Sequence, residues 1–424
     1  MSTSSASTAS AEFTPSLSPG HNPVRVAIAY FDAGGGHRAA ALALQSVLNA
    51  DHGWRVELLN LQDYLDSLDP SSRFFGIRVQ DIYNRLLNRG STRVMRKLLP
   101  VLHGAVRLYT PLIARRLDKY WRDTKPDIVI SVVPNLNRAL ALSIVRAIPS
   151  ASFVTLITDM ADTPPHFWIE KESQYLICGT QRAAQQSLAL GHAPERVFQT
   201  SGMVLHPKFY AATQTRGPVA TRTRLGLDPN LTTVLVMFGG QGSPEMLQIA
   251  NEFNESARPI QVIYICGRNE RLFRALQGLQ LRHRSLIVGF TTDMPTYMAA
   301  SDLMIGKPGP GSISEALHFG LPVVVTRNAR TMPQEVYNTY WVEEKGVGIV
   351  LRHFRELSAH LDSVFHGDAL QRMKMAARAE NNNAIFEIPS ILTRILNNVP
   401  STVTTLNSTS VASSRFQNCL QKVV

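Results

Sequence analysis

Three glycine-rich loops in this sequence hold residues whose types and spacing suit chemistry. The first is Asp32-Ala33-Gly34-Gly35-Gly36-His37, set between the apolar run Val24–Tyr30 and the Ala/Leu-rich stretch Ala39–Leu48. Glycines between a strand and a helix let the backbone approach a ligand closely. A histidine there stands at the carboxyl end of a first strand, where a neutral imidazole can act as general base near pH 7. The same residues also fit a tight turn with His37 at a helix start, and their spacing is not the dinucleotide G-x-G-x-x-G. The second loop, Gly239-Gly240-Gln241-Gly242-Ser243-Pro244, follows Thr233–Phe238 and opens another helix. Free backbone N–H groups at a helix N-terminus suit a phosphate, although any βα turn can carry glycines. The third, Lys307-Pro308-Gly309-Pro310-Gly311-Ser312, lies between strand Asp302–Ile305 and helix Ile313–Phe319. It leaves backbone amides bare at a helix N-terminus, a cradle for a diphosphate. Glu315, one turn in, is placed to accept hydrogen bonds from both hydroxyls of a ribose, or else to complement the helix macrodipole. Gln334 and Glu335 follow the next strand and Pro333, either at the top of a sheet within reach of sugar hydroxyls or in a solvated loop.

Such loops need strands and helices to hold them. Val24–Tyr30, Val56–Leu61, Asp127–Val133, Ser152–Thr158 and Tyr175–Cys178 are short apolar runs with helical patterns between several of them. Nearly continuous Val and Ile predict strands buried on both faces, hence parallel sheets. The alternation restarts with Thr233–Phe238, Gln261–Cys266, Ser285–Val288, Asp302–Ile305, Pro322–Thr326 and Gly348–Leu351. The fold class is therefore α/β, with two Rossmann-like doubly wound domains and an interdomain cleft. The expected divisions are a disordered tail at 1–22, a first domain at 23–212, a second at 213–395 and a flexible tail at 396–424, Ser/Thr-rich from Val399 to Ser414. Pro207 to Arg224 is polar and Thr-rich and reads as a weakly structured linker. A last helical stretch, Leu357 to Glu380, is placed to pack back across the two domains.

The chain has 424 residues, with 43 Lys and Arg against 32 Asp and Glu, a net charge of +11. That balance implies an anionic partner: nucleic acid, an acidic membrane surface or a phosphorylated substrate. Residues 71–122 hold twelve bases and two acids, so +10 lies in one strand-free segment. Phe74, Phe75, Ile77, Tyr83, Met95, Tyr109 and Trp121 are interleaved among the bases. This is the makeup of an interfacial amphipathic element, with Arg85, Arg89, Arg93, Arg96 and Lys97 as candidate membrane-binding residues. Each base near an anionic surface contributes roughly 1 kcal/mol. A solvated basic hairpin with its leucines in the core has the same composition.

The three cysteines, Cys178, Cys266 and Cys419, are too scattered for a disulfide framework or a cysteine zinc site. Cys178 and Cys266 lie in apolar runs and read as small core residues, which fits a reducing compartment. There is no apolar run of about 18 residues, the length that would span a membrane. The first 20 residues lack Lys, Arg and an apolar core, so they fail as a secretory signal and fit poorly as a transit peptide. The expected location is cytoplasmic, peripheral on the inner face of the cell membrane.

The Pro-Gly-Pro-Gly-Ser loop with Glu315, followed by Pro333-Gln334-Glu335 and Asn338, resembles the donor half of a GT-B glycosyltransferase. With the Asp32–His37 opening, the chain is similar to the monogalactosyldiacylglycerol synthase and diacylglycerol glucosyltransferase family over roughly residues 24–383. The resemblance implies an inverting transfer of a hexose, galactose or glucose, from a UDP-sugar to diacylglycerol or a similar lipid. It places the UDP-sugar on the second domain and the lipid acceptor on the first. It implies that Phe290 and Thr291 hold the uracil through main-chain groups and that Gly309, Gly311 and Ser312 bind the diphosphate. Glu315 would take the ribose, Gln334 and Glu335 the sugar, Asn338 would belong to the same donor-binding set, and Gly239, Gly240 and Gly242 would line the donor cleft. No cofactor is implied and no metal in the active site, since helix ends carry the leaving group's charge; there is no DxD motif. On the acceptor side Gly35 and Gly36 accompany His37, the candidate base. Thr158-Asp159 matches the family's Thr-Asp, with Asp159 as base, as orienting group, or as a turn cap. Galactolipid synthases usually carry a His-Pro-x-Trp-Phe-like run soon afterwards. Here it reads Asp162-Thr163-Pro164-Pro165-His166-Phe167-Trp168, which makes His166 and Trp168 acceptor-side candidates in altered order.

Two alternatives keep the same composition. A UDP-GlcNAc-type epimerase or GlcNAc transferase would share the architecture, and an epimerase would need no lipid acceptor. A nucleic-acid-binding protein would use the basic segment on phosphates, but no RRM, KH or helix-turn-helix pattern is present and the bases lie outside the glycine loops. No nucleic-acid partner is therefore expected.

Overall fold

The computed structural model describes residues 23–32, 35–67, 92–213, 217–256, 258–365 and 367–397. The tail expected at 1–22, nearly all of that at 396–424, and positions 68–91 of the basic segment lie outside them.

Two six-stranded parallel sheets form the frame. The first contains β1 (Arg25–Tyr30), β2 (Arg55–Asn60), β3 (Ile128–Ser131), β4 (Ser152–Ile157), β5 (Tyr175–Cys178) and β6 (Val197–Gln199), in the order β2-β1-β3-β4-β5-β6. The second contains β7 (Thr232–Met237), β8 (Ile260–Ile265), β9 (Arg284–Val288), β10 (Leu303–Gly306), β11 (Val323–Thr326) and β12 (Gly348–Leu351), ordered β12-β11-β10-β7-β8-β9. Strand order reverses between β1 and β3 and between β7 and β10, and all four strands run parallel there. Open α/β sheets bind ligands outside the carboxyl ends of strands at such reversals. The three glycine loops leave the carboxyl ends of β1, β7 and β10.

Helices fill the connections. The first half has α1 (Gly36–His52), α2 (Leu61–Ser67), α3 (Thr92–Thr124), α4 (Asn137–Ala147) and α5 (Gln181–Ala189). Then come α6 (Pro207–Thr213) and α7 (Pro218–Arg224). The second half has α8 (Glu245–Glu255), α9 (Glu270–Gln277), α10 (Met294–Ala299), α11 (Pro310–His318), α12 (Pro333–Lys345), α13 (Leu357–Phe365) and α14 (Ala369–Ala379), and α15 (Ala384–Leu396) ends the described chain.

Each sheet is buried on both faces, as the Val/Ile runs require. Val26 and Ile28 enter one cluster while Ala27 and Ala29 enter another. In the second sheet Val234 and Val236 face one cluster, and Leu235 and Met237 the other. Cys178 and Cys266 are buried among apolar neighbours, as expected of core residues.

Two sequence expectations are corrected. The Pro207–Arg224 stretch is no loose linker. Pro207 and Pro218 each begin a short helix, where a missing N–H leaves no bond unmade. Phe209 is buried in the second sheet's core. Buried Arg222 pairs with Asp302 at 2.5 Å and donates to the Ala300 carbonyl. The helix that returns is α15, not the 357–380 stretch. Leu357, Leu361 and Val364 pack into the second core, whereas Ile385, Ile388, Leu392 and Ile395 pack on Val26 and Ile28 of the first sheet. Their 3- and 4-residue spacing puts one stripe of α15 on the sheet. The crossing is clamped where Asn382 Nδ2 donates to the Met203 carbonyl (2.8 Å) and the Ser201 N–H donates to Glu387 (2.8 Å).

The described part of the basic segment is α3, 33 residues long. Thr110, Ala114, Leu117 and Trp121 form its buried stripe. Trp121 Nε1 donates to Ser143 of α4 at 2.8 Å, and Arg146 makes a bidentate pair with Asp118 at 2.6 and 2.8 Å. On the exposed side, Arg107, Arg115, Lys119 and Arg122 accompany Leu108, Tyr109 and Leu112. Arg85 and Arg89 lie outside the described residues, as do the side chains of Arg93, Arg96 and Lys97.

Candidate active site between the two sheets

On the first sheet, His37 sits in the first turn of α1, just past Gly35, whose φ of 82° turns the chain from loop into helix. His37 Nδ1 lies 3.1 Å from Thr158 Oγ1, and its ring centroid is 5.7 Å from that of Trp168. Burial pushes the imidazole down to about 4, against the Val132 backbone, which favours the protonated ring. At neutral pH the ring is therefore uncharged, the form a general base needs. Gly36 is exposed, with open space around it.

Asp159 follows β4 and is buried. Trp168 Nε1 donates to its carboxylate at 2.9 Å. Burial raises Asp159 to about 7; the Trp168 bond and Lys307 oppose the rise, and Glu335 and Asp162 add to it. Lys307 and Glu335 belong to the second domain, so this carboxyl senses both sides of the cleft.

The loop from Asp159 to Glu170 is held from several directions. The buried Asp162 carboxylate accepts from the N–H groups of His166 (2.9 Å) and Trp168 (2.7 Å). Asn137 Nδ2 donates to the Trp168 carbonyl at 2.8 Å. Trp168 is fully buried, so it braces Asp159 and flanks His37. His166 Nδ1 is 3.3 Å from the Ile169 carbonyl, within its own loop.

On the second sheet, Gly239 and Gly242 have φ of 75° and 59°. A Cβ on Gly242 would stand 2.6 Å from the Cys266 carbonyl, so only glycine fits. Gly240 is in open space, and its carbonyl accepts from the Arg268 N–H at 2.8 Å. The third loop opens α11, with Gly309 as N-cap. Gly311 has nothing near its Cβ position, and Ser312 Oγ lies 3.9 Å from the Cβ position of Gly309. Bare amides thus sit at the start of a nine-residue helix. Burial raises Glu315 to about 7, and Lys208 opposes the rise. Lys208 Nζ also donates to the Thr292 carbonyl at 2.9 Å, beside Phe290 and Thr291. Phe290 is 54% exposed with the Arg268 guanidinium 4.4 Å above its ring, an open platform at the cleft edge.

Gln334 and Glu335 are not in a loop but in the first turn of α12. Glu335 is buried and pairs with Lys307 at 3.4 Å, so the solvated-loop alternative fails for it. Gln334 is half-buried, with Nε2 at 4.0 Å from Met332 Sδ. Asn338 is wholly buried and donates to the Pro308 carbonyl at 2.7 Å, bracing the third loop from behind. Sequence reasoning passed over Lys307, Lys208 and Arg268. Lys307 lies in the third glycine loop, where a lone base among glycines carries no spacing signal, and Lys208 lies in the polar Pro207–Arg224 stretch.

Among the described residues, no helix is long and apolar enough to cross a membrane. Among the same residues, no group of three or more His, Cys, Asp or Glu side chains is arranged to hold a metal ion. The strand ends of the first sheet thus carry an uncharged imidazole and a buried carboxyl, and those of the second carry bare amides at the start of α11 with Glu315 one turn in. That arrangement suits attack of a hydroxyl on a nucleotide-linked carbon.

Comparison with known proteins agrees. Residues 37–204 match the family model described as Monogalactosyldiacylglycerol (MGDG) synthase, and residues 233–395 that of the glycosyltransferase family 28 C-terminal domain. The probable monogalactosyldiacylglycerol synthase 3, chloroplastic, of Oryza sativa subsp. japonica is 32% identical over 384 residues, covering 86% of this chain and 73% of that protein. Among solved structures, the complex of S. aureus MnaA with UDP aligns with a TM-score of 0.59 at 13% identity, over 92% of this chain and 100% of that one. MurG of Acinetobacter baumannii aligns with a TM-score of 0.58 at 12% identity, over 88% and 100%. These two establish the shared two-domain GT-B architecture.

Proposed function

This chain belongs to the monogalactosyldiacylglycerol synthase family and is a glycosyltransferase, and we propose that it moves a hexose from a UDP-sugar to diacylglycerol or a similar lipid at a membrane surface. The observation that carries the reading is the contact across the cleft: Met160, next to Asp159, is buried in one cluster with Ile313 and Leu317 of α11, the helix that the third glycine loop opens. Donor and acceptor groups therefore share one site.

In the proposed reaction the UDP moiety lies on the second sheet. Phe290 and Thr291 meet the uracil, Glu315 the ribose, and Gly309, Gly311 and Ser312 the diphosphate, with Gly239, Gly240 and Gly242 lining the cleft. Gln334 and Glu335 meet the sugar, with Asn338 holding the loop behind them. The lipid hydroxyl approaches past Gly35 and Gly36. His37 takes its proton while the oxygen attacks the anomeric carbon. The C–O bond to the β-phosphate breaks, and its electron pair leaves with UDP. One displacement inverts the centre, so an α-linked donor gives a β-glycoside. Negative charge from the diphosphate and from ionised Asp159 raises the proton affinity of His37 as the imidazolium forms. Trp168 keeps Asp159 in place. The amides at the start of α11 stabilise the departing phosphate, and no active-site metal is required; turnover surviving EDTA is the expected result.

The exposed side of α3 offers bases beside Leu108, Tyr109 and Leu112, a surface suited to anionic lipid. Peripheral attachment there brings the cleft to its acceptor. Nucleic acid is not a partner in this reading: anionic vesicles should float the protein, while duplex DNA and RNA should not shift in a gel. The catalytic test incubates purified protein with labelled UDP-galactose or UDP-glucose and diacylglycerol liposomes. Label should enter the lipid phase from one sugar in preference, galactose being the one in the relative's name. Label from neither sinks the acceptor assignment.

A further inference from the structure

Lys307 leaves the carboxyl end of β10 at the point where the second sheet reverses its strand order. Its Cε lies 3.8 Å from the Cβ position of Gly239 and 3.6 Å from that of Gly309. The side chain thus threads between two glycine loops that approach from different strands. Its Nζ is 3.4 Å from Glu335 Oε1, and the side chain is 42% exposed to the cleft, whereas that of Glu335 is 10% exposed. The ammonium therefore stands where the second and third glycine loops converge, beside the bare amides of α11, with a buried carboxylate on its other side.

We infer that Lys307 is the cation that neutralises the departing diphosphate, and that donor binding exchanges its partner from Glu335 to the phosphate. The inference rests on the donor-site reading above. The physical reason is charge. When the anomeric C–O bond breaks, its electron pair passes to a β-phosphate oxygen and UDP gains one negative charge. The acceptor proton goes to His37, and Lys307 keeps its own. Helix-end amides supply partial charges only, whereas an ammonium supplies a full one with three donors free to reorient. Preorganised charge aimed at a developing anion acts mainly on the transition state. The exchange has a second effect. Glu335 released from Lys307 has a free carboxylate for sugar hydroxyls, so sugar recognition is completed only when a diphosphate is present.

The test compares UDP with uridine as competitive inhibitors of the wild type, Lys307→Met and Lys307→Arg, alongside kcat and KM for the UDP-sugar. Wild type should bind both inhibitors. Lys307→Met should weaken UDP by roughly 10–100-fold while leaving uridine within about twofold, and lower kcat by about 10²–10³. Lys307→Arg should recover part of both losses. Retained uridine binding by the Met variant also certifies its fold. If Lys307→Met weakens neither inhibitor, or both equally, the inference is overturned. If wild type binds neither, the donor-site reading itself fails.

Discussion

Asp159→Asn should make the ligand-free protein more stable, and by more at pH 8 than at pH 5. Burial raises this carboxyl from 3.8 to about 7. Between those values the folded state binds more protons than the unfolded one, so stability falls as pH rises through the window and levels off above about 7. Relative to a permanently neutral side chain, the loss is about 1.5 kcal/mol at pH 5 and about 4 kcal/mol at pH 8, at roughly 1.4 kcal/mol per pKa unit. Asparagine keeps the shape and still accepts the Trp168 Nε1 bond through its oxygen. The advantage of the variant should therefore widen by about 2.5 kcal/mol between the two pH values, or roughly 5–10 °C in Tm for the first domain. Scanning calorimetry without ligand at both pH values reads this directly, and turnover should be lost in the same variant. An equal Tm gap at the two pH values would refute the argument, because the titrating group would not be Asp159.

Other expectations follow from the same geometry. His37→Ala should lower kcat by about 10²–10⁴ while leaving the Kd for UDP unchanged; lost UDP binding would mark His37 as structural. UDP affinity should rise with pH through about 7 as Glu315 ionises and can accept both ribose hydroxyls, and Glu315→Gln should flatten that dependence in calorimetric titrations. Leu108→Asp combined with Leu112→Asp should weaken binding to anionic vesicles by more than tenfold, since each loses about 2 kcal/mol of apolar contact. Transfer to a water-soluble acceptor should survive those two changes.

The sheets were readable because buried parallel strands are written as unbroken Val and Ile, as in Ile128–Ser131 and Val323–Thr326. β6 escaped because three residues, Val197–Gln199, make no periodic signal. α6 and α7 escaped because their polar composition is compensated in space: buried Arg222 is satisfied by Asp302, 80 residues away, and by the carbonyls of Ala300 and Pro229. In the site, glycines announced the loops they build. The side chains between those loops announced nothing. Trp168, expected on the acceptor side, is fully buried behind Asp159, a contact nine residues apart that no spacing rule predicts. The Lys307–Glu335 pair joins the loop after β10 to the first turn of α12, and Lys208 reaches Thr292 across 84 residues. Folding, not motif spacing, brings these groups together.

The most direct measurement of the central claim is the structure of the lipid product made from carbon-13-labelled UDP-galactose and diacylglycerol liposomes. Mass spectrometry should show one hexose on diacylglycerol, and proton NMR should show the large anomeric coupling of a β-galactoside. An α-linked product would contradict the single displacement, and a lipid phase left unlabelled by both UDP-galactose and UDP-glucose would contradict the transfer itself.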